Sequence, residues 1–327
     1  MPLGEGAAAD RGLDARAGTD DGRPGQPVRA DGAVRPDPVR RSSARGVAVK
    51  RVTRSVLVTV SRPTYQARML PGFLIVGAAR CGTTSMFRAL SQHPAVFTAM
   101  RQKEVHYFDN KYDRGPAWYQ SHFPLAARAR VAARAAGAAP VAFESGPYYM
   151  FHPHAADRIR RDLPGVKLLV MLRDPVERAR SAHSYSVNLG YETEPFERAL
   201  ELEASRLEGE TERMVADPSY ASQSHRHHSY RVRGQYAEQL EHLERIFGRE
   251  RIHVLDSDDF FADPEPAYDS VLEFLGLPHR GYPAFGRHNA RPRSAMAPTV
   301  RAALEEHYRP YDERLVSWLG REPSWRR

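Results

Sequence analysis

An α/β fold, one domain with a central parallel β-sheet flanked by helices, is what this 327-residue chain predicts, and three observations carry the prediction. Two apolar runs, at 73–76 and 168–172, each pass through a short polar turn straight into a helix start. Beyond residue 190 helical and strand patterns keep alternating, as they do where crossover helices join parallel strands. No internal repeat is present to suggest a solenoid or propeller.

The first strand, Phe73-Leu-Ile-Val76, ends at Gly77. The loop after it closes at Gly82, and Thr83, Thr84 and Ser85 open a helix that continues through Met86, Phe87 and Leu90. The leading N–H groups of such a helix have no partner inside it and point, with the positive end of its dipole, into the loop, so an anion is the natural occupant. The glycine spacing matches that of the nucleotide-triphosphatase loop, but Thr83 stands where that loop has its lysine, and the cation is Arg80, inside the loop. A short strand at 95–99 precedes Glu104-Val-His-Tyr-Phe-Asp109. If that stretch is extended, Glu104 and His106 project to one face and Val105 and Tyr107 to the other, a geometry suited to acid–base chemistry. Tyr107 and Phe108 read as core, Lys103 as a solvated lysine in preference to a contact with an acidic substrate, and Asp109 as either a turn residue or an acceptor contact.

The second handle follows the strand at 168–172, which is apolar on both faces and therefore predicted to be fully buried. Asp174-Pro-Val-Glu177 opens a helix with a capping-box-like pattern and proline at its first position. Arg173 thus sits at the carboxyl end of a strand, with Ser181 about 10 Å along the following helix. Ligands of open α/β sheets collect at the carboxyl ends of strands, so two anion handles at two strand ends suggest one ligand with two separated phosphate groups. Further on, 195–207 predicts a charged helix, 235–247 an amphipathic one and 251–255 a strand. Asp263 and Pro264 then mark the start of a helix that runs to Gly276.

Three segments carry a family resemblance. Gly-Ala-Ala-Arg-Cys-Gly-Thr-Thr at 77–84, Lys-Glu-Val-His-Tyr-Phe-Asp at 103–109 and Arg-Asp-Pro-Val-Glu-Arg-Ala-Arg-Ser at 173–181 resemble the signature segments of sulfotransferases, closest to the carbohydrate-type branch that includes the heparan sulfate enzymes and bacterial relatives. The resemblance implies the P-loop-like sulfotransferase fold and 3′-phosphoadenosine-5′-phosphosulfate as co-substrate. It implies that Arg80, Cys81, Gly82, Thr83, Thr84 and Ser85 hold the 5′-phosphosulfate and that Arg173 and Ser181 take the 3′-phosphate. The polar, basic segment 287–294, with Arg291 and Arg293, corresponds to one that closes over the donor's adenosine side; an exposed loop is the other reading. Relatives often carry lysine at the position of Arg80, which keeps the charge but changes its shape. They also read Glu-Lys-Thr-Pro where this chain has Glu144-Ser-Gly-Pro147, and Ser145 cannot supply that lysine's charge.

Within this reading Glu104 is the general base for an acceptor hydroxyl, His106 orients Glu104 or the acceptor, and transfer is a direct in-line displacement. The acceptor is a hydroxyl or amine on a glycan, glycolipid or small metabolite, and the Ala- and Arg-rich composition, typical of high-GC bacterial coding sequence, favours a secondary metabolite, a glycolipid or a glycan without choosing among them. No metal is expected, because a sulfuryl group carries less charge than the phosphoryl group for which kinases recruit Mg²⁺. A nucleotide-dependent phosphotransferase using the same cradle and a non-enzymatic anion or nucleic-acid binder are the alternatives.

Composition bounds the rest. Residues 1–54 are rich in Ala, Gly, Arg, Asp and Pro and predict a disordered tail, 55–69 an entry segment, and 70–327 the sulfotransferase domain. The tail holds 11 Lys/Arg against 7 Asp/Glu, half of the chain's +8, so the folded part is only mildly basic and no nucleic-acid partner is expected. No stretch of about 18 apolar residues suggests a membrane span. One cysteine, Cys81, excludes an internal disulfide and fits a reducing, cytoplasmic setting. It reads as a space-filling thiol, and Ser224-His-Arg-His-His228 lacks the spacing of a metal site.

Overall fold

The computed structural model describes residues 61–100, 102–286 and 296–327. The readings for residues 1–54, and for Arg291 and Arg293, lie outside the described residues.

Five strands form one wholly parallel sheet: β1 (Pro71–Gly77), β2 (Val96–Thr98), β3 (Val141–Ser145), β4 (Lys167–Leu172) and β5 (Ile252–Asp256), in the order β2-β3-β1-β4-β5. A parallel sheet covered on both faces needs strands apolar on both faces. Leu168, Leu169, Val170, Met171 and Leu172 of β4 and Phe73, Leu74, Ile75 and Val76 of β1 are accordingly buried. Register is fixed by side-chain pairing: Phe73 lies opposite Phe143, and their rings stack with centroids 4.6 Å apart. β3 was not apparent in the sequence, because its five residues end in Glu144 and Ser145, both fully buried.

Twelve α-helices connect or cover the strands among the described residues: α1 (Thr83–Leu90), α2 (Pro116–Gln120), α3 (Ala126–Ala133), α4 (Ala155–Asp162), α5 (Pro175–Leu189), α6 (Phe196–Leu207), α7 (Glu210–Ala216), α8 (Gln223–His227), α9 (Tyr236–Phe247), α10 (Ser257–Ala262), α11 (Pro264–Leu275) and α12 (Pro298–Leu319). The predicted helix at 235–247 is α9, whose Tyr236, Leu240, Leu243 and Phe247 are buried as its pattern requires. α5 starts where expected: Asp174 is its N-cap, accepting from the Val176 N–H at 2.8 Å, with Pro175 at the first helical position. Gly190 ends it in the left-handed conformation, φ 76°.

The strand order places the site. From β1 the chain moves outward to β2 and returns through β3, whereas from β4 it moves the other way to β5. The carboxyl ends of β1 and β4 therefore flank the topological switch point, the crevice where such sheets bind ligands. The Ala78 N–H donates to the Met171 carbonyl at 2.8 Å and holds these two ends together. No helix among the described residues is long and apolar enough to cross a membrane.

Candidate active site

A cleft of about 770 Å³ opens over the switch point. One part of it is built from the loop after β1. Arg80 adopts φ 75°, a left-handed conformation costing a non-glycine residue about 1–3 kcal/mol, of the kind concentrated at functional sites. This turn brings the Arg80 Nε to donate to Ser181 Oγ at 3.2 Å and lays the guanidinium 4.6 Å over the Tyr185 ring. Tyr185 follows Ser181 by one helical turn, and that i, i+4 spacing was the available sign that both share a face of α5. Gly82 closes the loop at φ 78°, and a Cβ there would stand 2.9 Å from Ser257 Oγ. The loop is held from behind by Ser257 Oγ donating to the Cys81 carbonyl at 3.0 Å.

Not all the predicted loop ligands turn toward the cleft. Arg80, Gly82, Thr83, Thr84, Arg173 and Ser181 line it; Cys81 and Ser85 are buried beneath it. The Cys81 Sγ lies 3.6 Å from the Tyr236 hydroxyl, and burial pushes its thiol up to about 11, so the side chain fills space rather than acting as a nucleophile.

Lys103 departs from expectation. Rather than being solvated, its Nζ donates to Thr83 Oγ1 at 3.2 Å and Thr84 Oγ1 at 3.1 Å, with Glu104 Oε1 at 3.5 Å. A lysine from a distant loop thus brings its charge to the cradle, where the loop itself has Thr83. Burial lowers its pKa, Glu104 opposes that shift, and the nearby positive charge of Arg80 adds to the lowering.

The 103–109 segment is also built differently from an extended strand. His106 has φ 59°, and the chain turns at once through 107–110. Glu104 and His106 nevertheless meet, with Glu104 Oε2 at 3.5 Å from His106 Nε2, while Val105 and Tyr107 are buried on the other side. Asp109 lies in that turn, one of its two expected readings, and its buried carboxylate lies 3.0 Å from His106 Nδ1 and 3.6 Å from Arg226 Nη1. Burial alone would raise Asp109, but the His106 hydrogen bond and the charges of His106 and Arg226 outweigh it and lower the pKa. An ionised Asp109 only accepts, so it selects the His106 tautomer bearing a proton on Nδ1 and turns Nε2 toward Glu104.

Glu144 supports this segment from below. Fully buried on β3, it accepts from the Val105 N–H at 2.8 Å, the Tyr119 hydroxyl at 2.8 Å and the Tyr149 hydroxyl at 3.2 Å. The Ser145 N–H also donates to the Lys103 carbonyl at 3.0 Å. Two strand residues therefore fix the backbone on either side of Glu104. The histidines at 225–228 diverge: His225 Nδ1 pairs with the Tyr148 hydroxyl at 2.7 Å, the His227 ring stacks on Tyr191, and His228 Nε2 faces the Tyr191 carbonyl. Among the described residues no cluster of three or more His, Cys, Asp or Glu side chains is placed to hold a metal ion.

Chemically, the cleft brings Arg80, Lys103, Arg173, two threonine hydroxyls, Ser181 and a helix N-terminus to one wall, with a carboxylate and its histidine beside them. A donor set so rich in cations and N–H or O–H groups suits a ligand with more than one phosphate-like group.

Residues 70–284 match the sulfotransferase domain model, and the chain belongs to that family. It is 23% identical over 322 residues to the membrane-associated sulfotransferase kil1 of Dictyostelium discoideum, covering 78% of this chain and 66% of that protein, just under two thirds. It is 24% identical over 286 residues to the human (Homo sapiens) heparan sulfate glucosamine 3-O-sulfotransferase 5, covering 79% of this chain and 75% of that one. Among solved structures, a sulfotransferase from Alicyclobacillus acidocaldarius superposes with a TM-score of 0.62 at 29% identity, covering 79% of this chain and all of that one.

Glu144 gives a prediction for stability. Burial pushes its carboxyl up to about 7 from 4.5, against three hydrogen bonds that pull it down. The folded form thus binds this proton more tightly than the unfolded chain. The stabilisation from that proton is whole below about pH 4.5 and is lost as pH rises through about 7. Replacing Glu144 by Gln sets an amide donor against existing donors and should cost about 1–3 kcal/mol at pH 5, in urea unfolding. The gap to wild type should narrow as the pH is raised to 8; a gap that widens would contradict the assignment.

Proposed function

We propose that this sulfotransferase-family chain moves a sulfuryl group from 3′-phosphoadenosine-5′-phosphosulfate to a hydroxyl or amine of a glycan, glycolipid or small metabolite. The observation that carries the reading is the convergence, on one cleft, of the two anion handles at the ends of β1 and β4 with Glu104 beside them. The donor is itself an adenosine with two separated phosphate groups. We assign the transfer domain to residues 70–327, behind a tail at 1–54.

In this assignment Thr83, Thr84 and the N-terminal amides of α1 hold the 5′-phosphosulfate, and Arg173 and Ser181 take the 3′-phosphate. Glu104 accepts the acceptor's proton as its oxygen attacks sulfur. A new S–O bond forms to the acceptor, the S–O bond to the 5′-phosphate breaks, and the electron pair leaves with the phosphate oxygen. Arg80 and Lys103 face that oxygen and stabilise the charge it gains. Asp109 and His106 act one step behind: with Nδ1–H given to Asp109, His106 Nε2 is an acceptor that takes a hydrogen bond from Glu104 once Glu104 holds the proton. Lys103 also answers the departure at Ser145, since it brings an ammonium to the loop hydroxyls. These cations, with the backbone N–H groups, supply the electrostatic stabilisation for a sulfuryl group, and no metal enters the scheme.

Two comparisons support the reading without fixing the acceptor. The family match supplies sulfuryl transfer as the reaction class. The heparan sulfate glucosamine 3-O-sulfotransferases are named for a sugar hydroxyl, consistent with attack by an alcohol oxygen.

The test is turnover with labelled donor. Glu104→Gln should lower kcat by about 10²–10⁴-fold, the range for loss of a general base, while binding adenosine 3′,5′-bisphosphate as wild type does in calorimetry. Normal turnover in the variant would remove Glu104 from the role of base.

A further inference from the structure

The cleft has two unlike halves. The half at Thr83, Thr84, Arg173 and Ser181 is crowded with cations and hydroxyls. The other half, on the far side of His106, is formed by the end of α5, the turn that follows it, and α8.

Part of its wall is aromatic and apolar. Tyr148 and Met214 lie at its base, and Leu189 and Tyr191 stand at its rim, half exposed at 50% and 47%. Large apolar side chains left this exposed beside a cleft mark a contact surface. The Tyr191 ring is not loose: it stacks on His227 with centroids 3.8 Å apart and planes 20° apart, and its carbonyl faces His228. A flat π-surface is therefore held in place at the mouth.

The two cations of this half, Arg226 and Arg233, have partners within the chain, although the buried Nε of Arg233 has none. Arg226 is shared between Asp109 and the face of Tyr148, its guanidinium 5.2 Å from that ring. Arg233 is buried, donates to the His225 and Arg226 carbonyls, and lies 5.0 Å over Tyr148. His225 and His227 are pushed down to about 3 and about 4 by burial and by neighbouring arginines, so both are neutral near pH 7. The remaining polar lining, Asn110, Ser186, Ser222, Gln223 and Ser229, is uncharged. Each sulfate or carboxylate of a polyanionic glycan would need a cation of its own.

We propose that this half seats an uncharged acceptor with a flat apolar body, a neutral phenol or aryl alcohol, stacked against Tyr191 and Leu189 with its hydroxyl directed at Glu104. The inference rests on the sulfuryl-transfer reading above and narrows its acceptor.

The experiment uses the full chain, labelled donor and two acceptor sets: neutral phenols including 4-methylumbelliferone, and heparan sulfate polysaccharide. The neutral phenols should be the better substrates by at least about tenfold in kcat/KM. Tyr191→Ala and Leu189→Asp should each raise the KM for the phenol about tenfold, with kcat and calorimetric affinity for adenosine 3′,5′-bisphosphate little changed. Preference for the polysaccharide, no transfer to any phenol, or an unchanged KM in both variants overturns the inference if the nucleotide still binds. Failure of the wild type to bind the nucleotide overturns the donor reading itself, and the inference falls with it.

Discussion

The arrangement depends on one constraint of topology: β1 and β4 lie side by side but send the chain outward in opposite directions. That leaves their carboxyl ends exposed together, joined by the Ala78–Met171 hydrogen bond, with a helix starting just beyond each. Two helix N-termini cannot easily be brought to one point without this reversal. Arg80 and Arg173 are then neighbours of the same crevice although 93 residues separate them in the chain.

Assembling such a site is costly, and the surrounding structure shows how the cost is met. Arg80 and His106 are both held at positive φ, a region few non-glycine residues adopt, histidine more readily than arginine. Arg80 is secured by the Tyr185 face and Ser181, and His106 by the Asp109 carboxylate. Lys103 and Arg80 crowd like charges into a partly desolvated place, and each makes the other less comfortable. An anion between them would relieve that repulsion, and the threonine hydroxyls and Glu104 are the ammonium's partners within the chain. Glu144 carries a similar burden one layer below, where a buried carboxylate is tolerated because three donors converge on it.

Much of this was legible in the sequence, for reasons that differ by residue. The strands β1 and β4 and the helices after them could be read because continuous apolar runs ended at strong punctuation, Gly77 and Gly82 in one case, Asp174 and Pro175 in the other. β3 escaped because a five-residue strand bearing Glu144 and Ser145 carries no periodic signal of its own. Lys103 escaped because solvation is decided by tertiary placement: the same lysine would be an ordinary surface charge if the loop were turned outward. The meeting of Glu104 with His106 was anticipated through an extended backbone, whereas a left-handed residue and a tight turn produce it. The role of Asp109 depends on that turn, so alternation along a strand could not reveal it.

The central claim is that a single nucleotide spans the two handles, with its 3′-phosphate on Arg173. The most direct measurement is a calorimetric comparison of adenosine 3′,5′-bisphosphate with adenosine 5′-phosphate, on wild type and on Arg173→Met. The account predicts that the substitution weakens the bisphosphate by about tenfold or more while leaving the 5′-monophosphate nearly unchanged. Equal weakening of both nucleotides, or of neither, would contradict it.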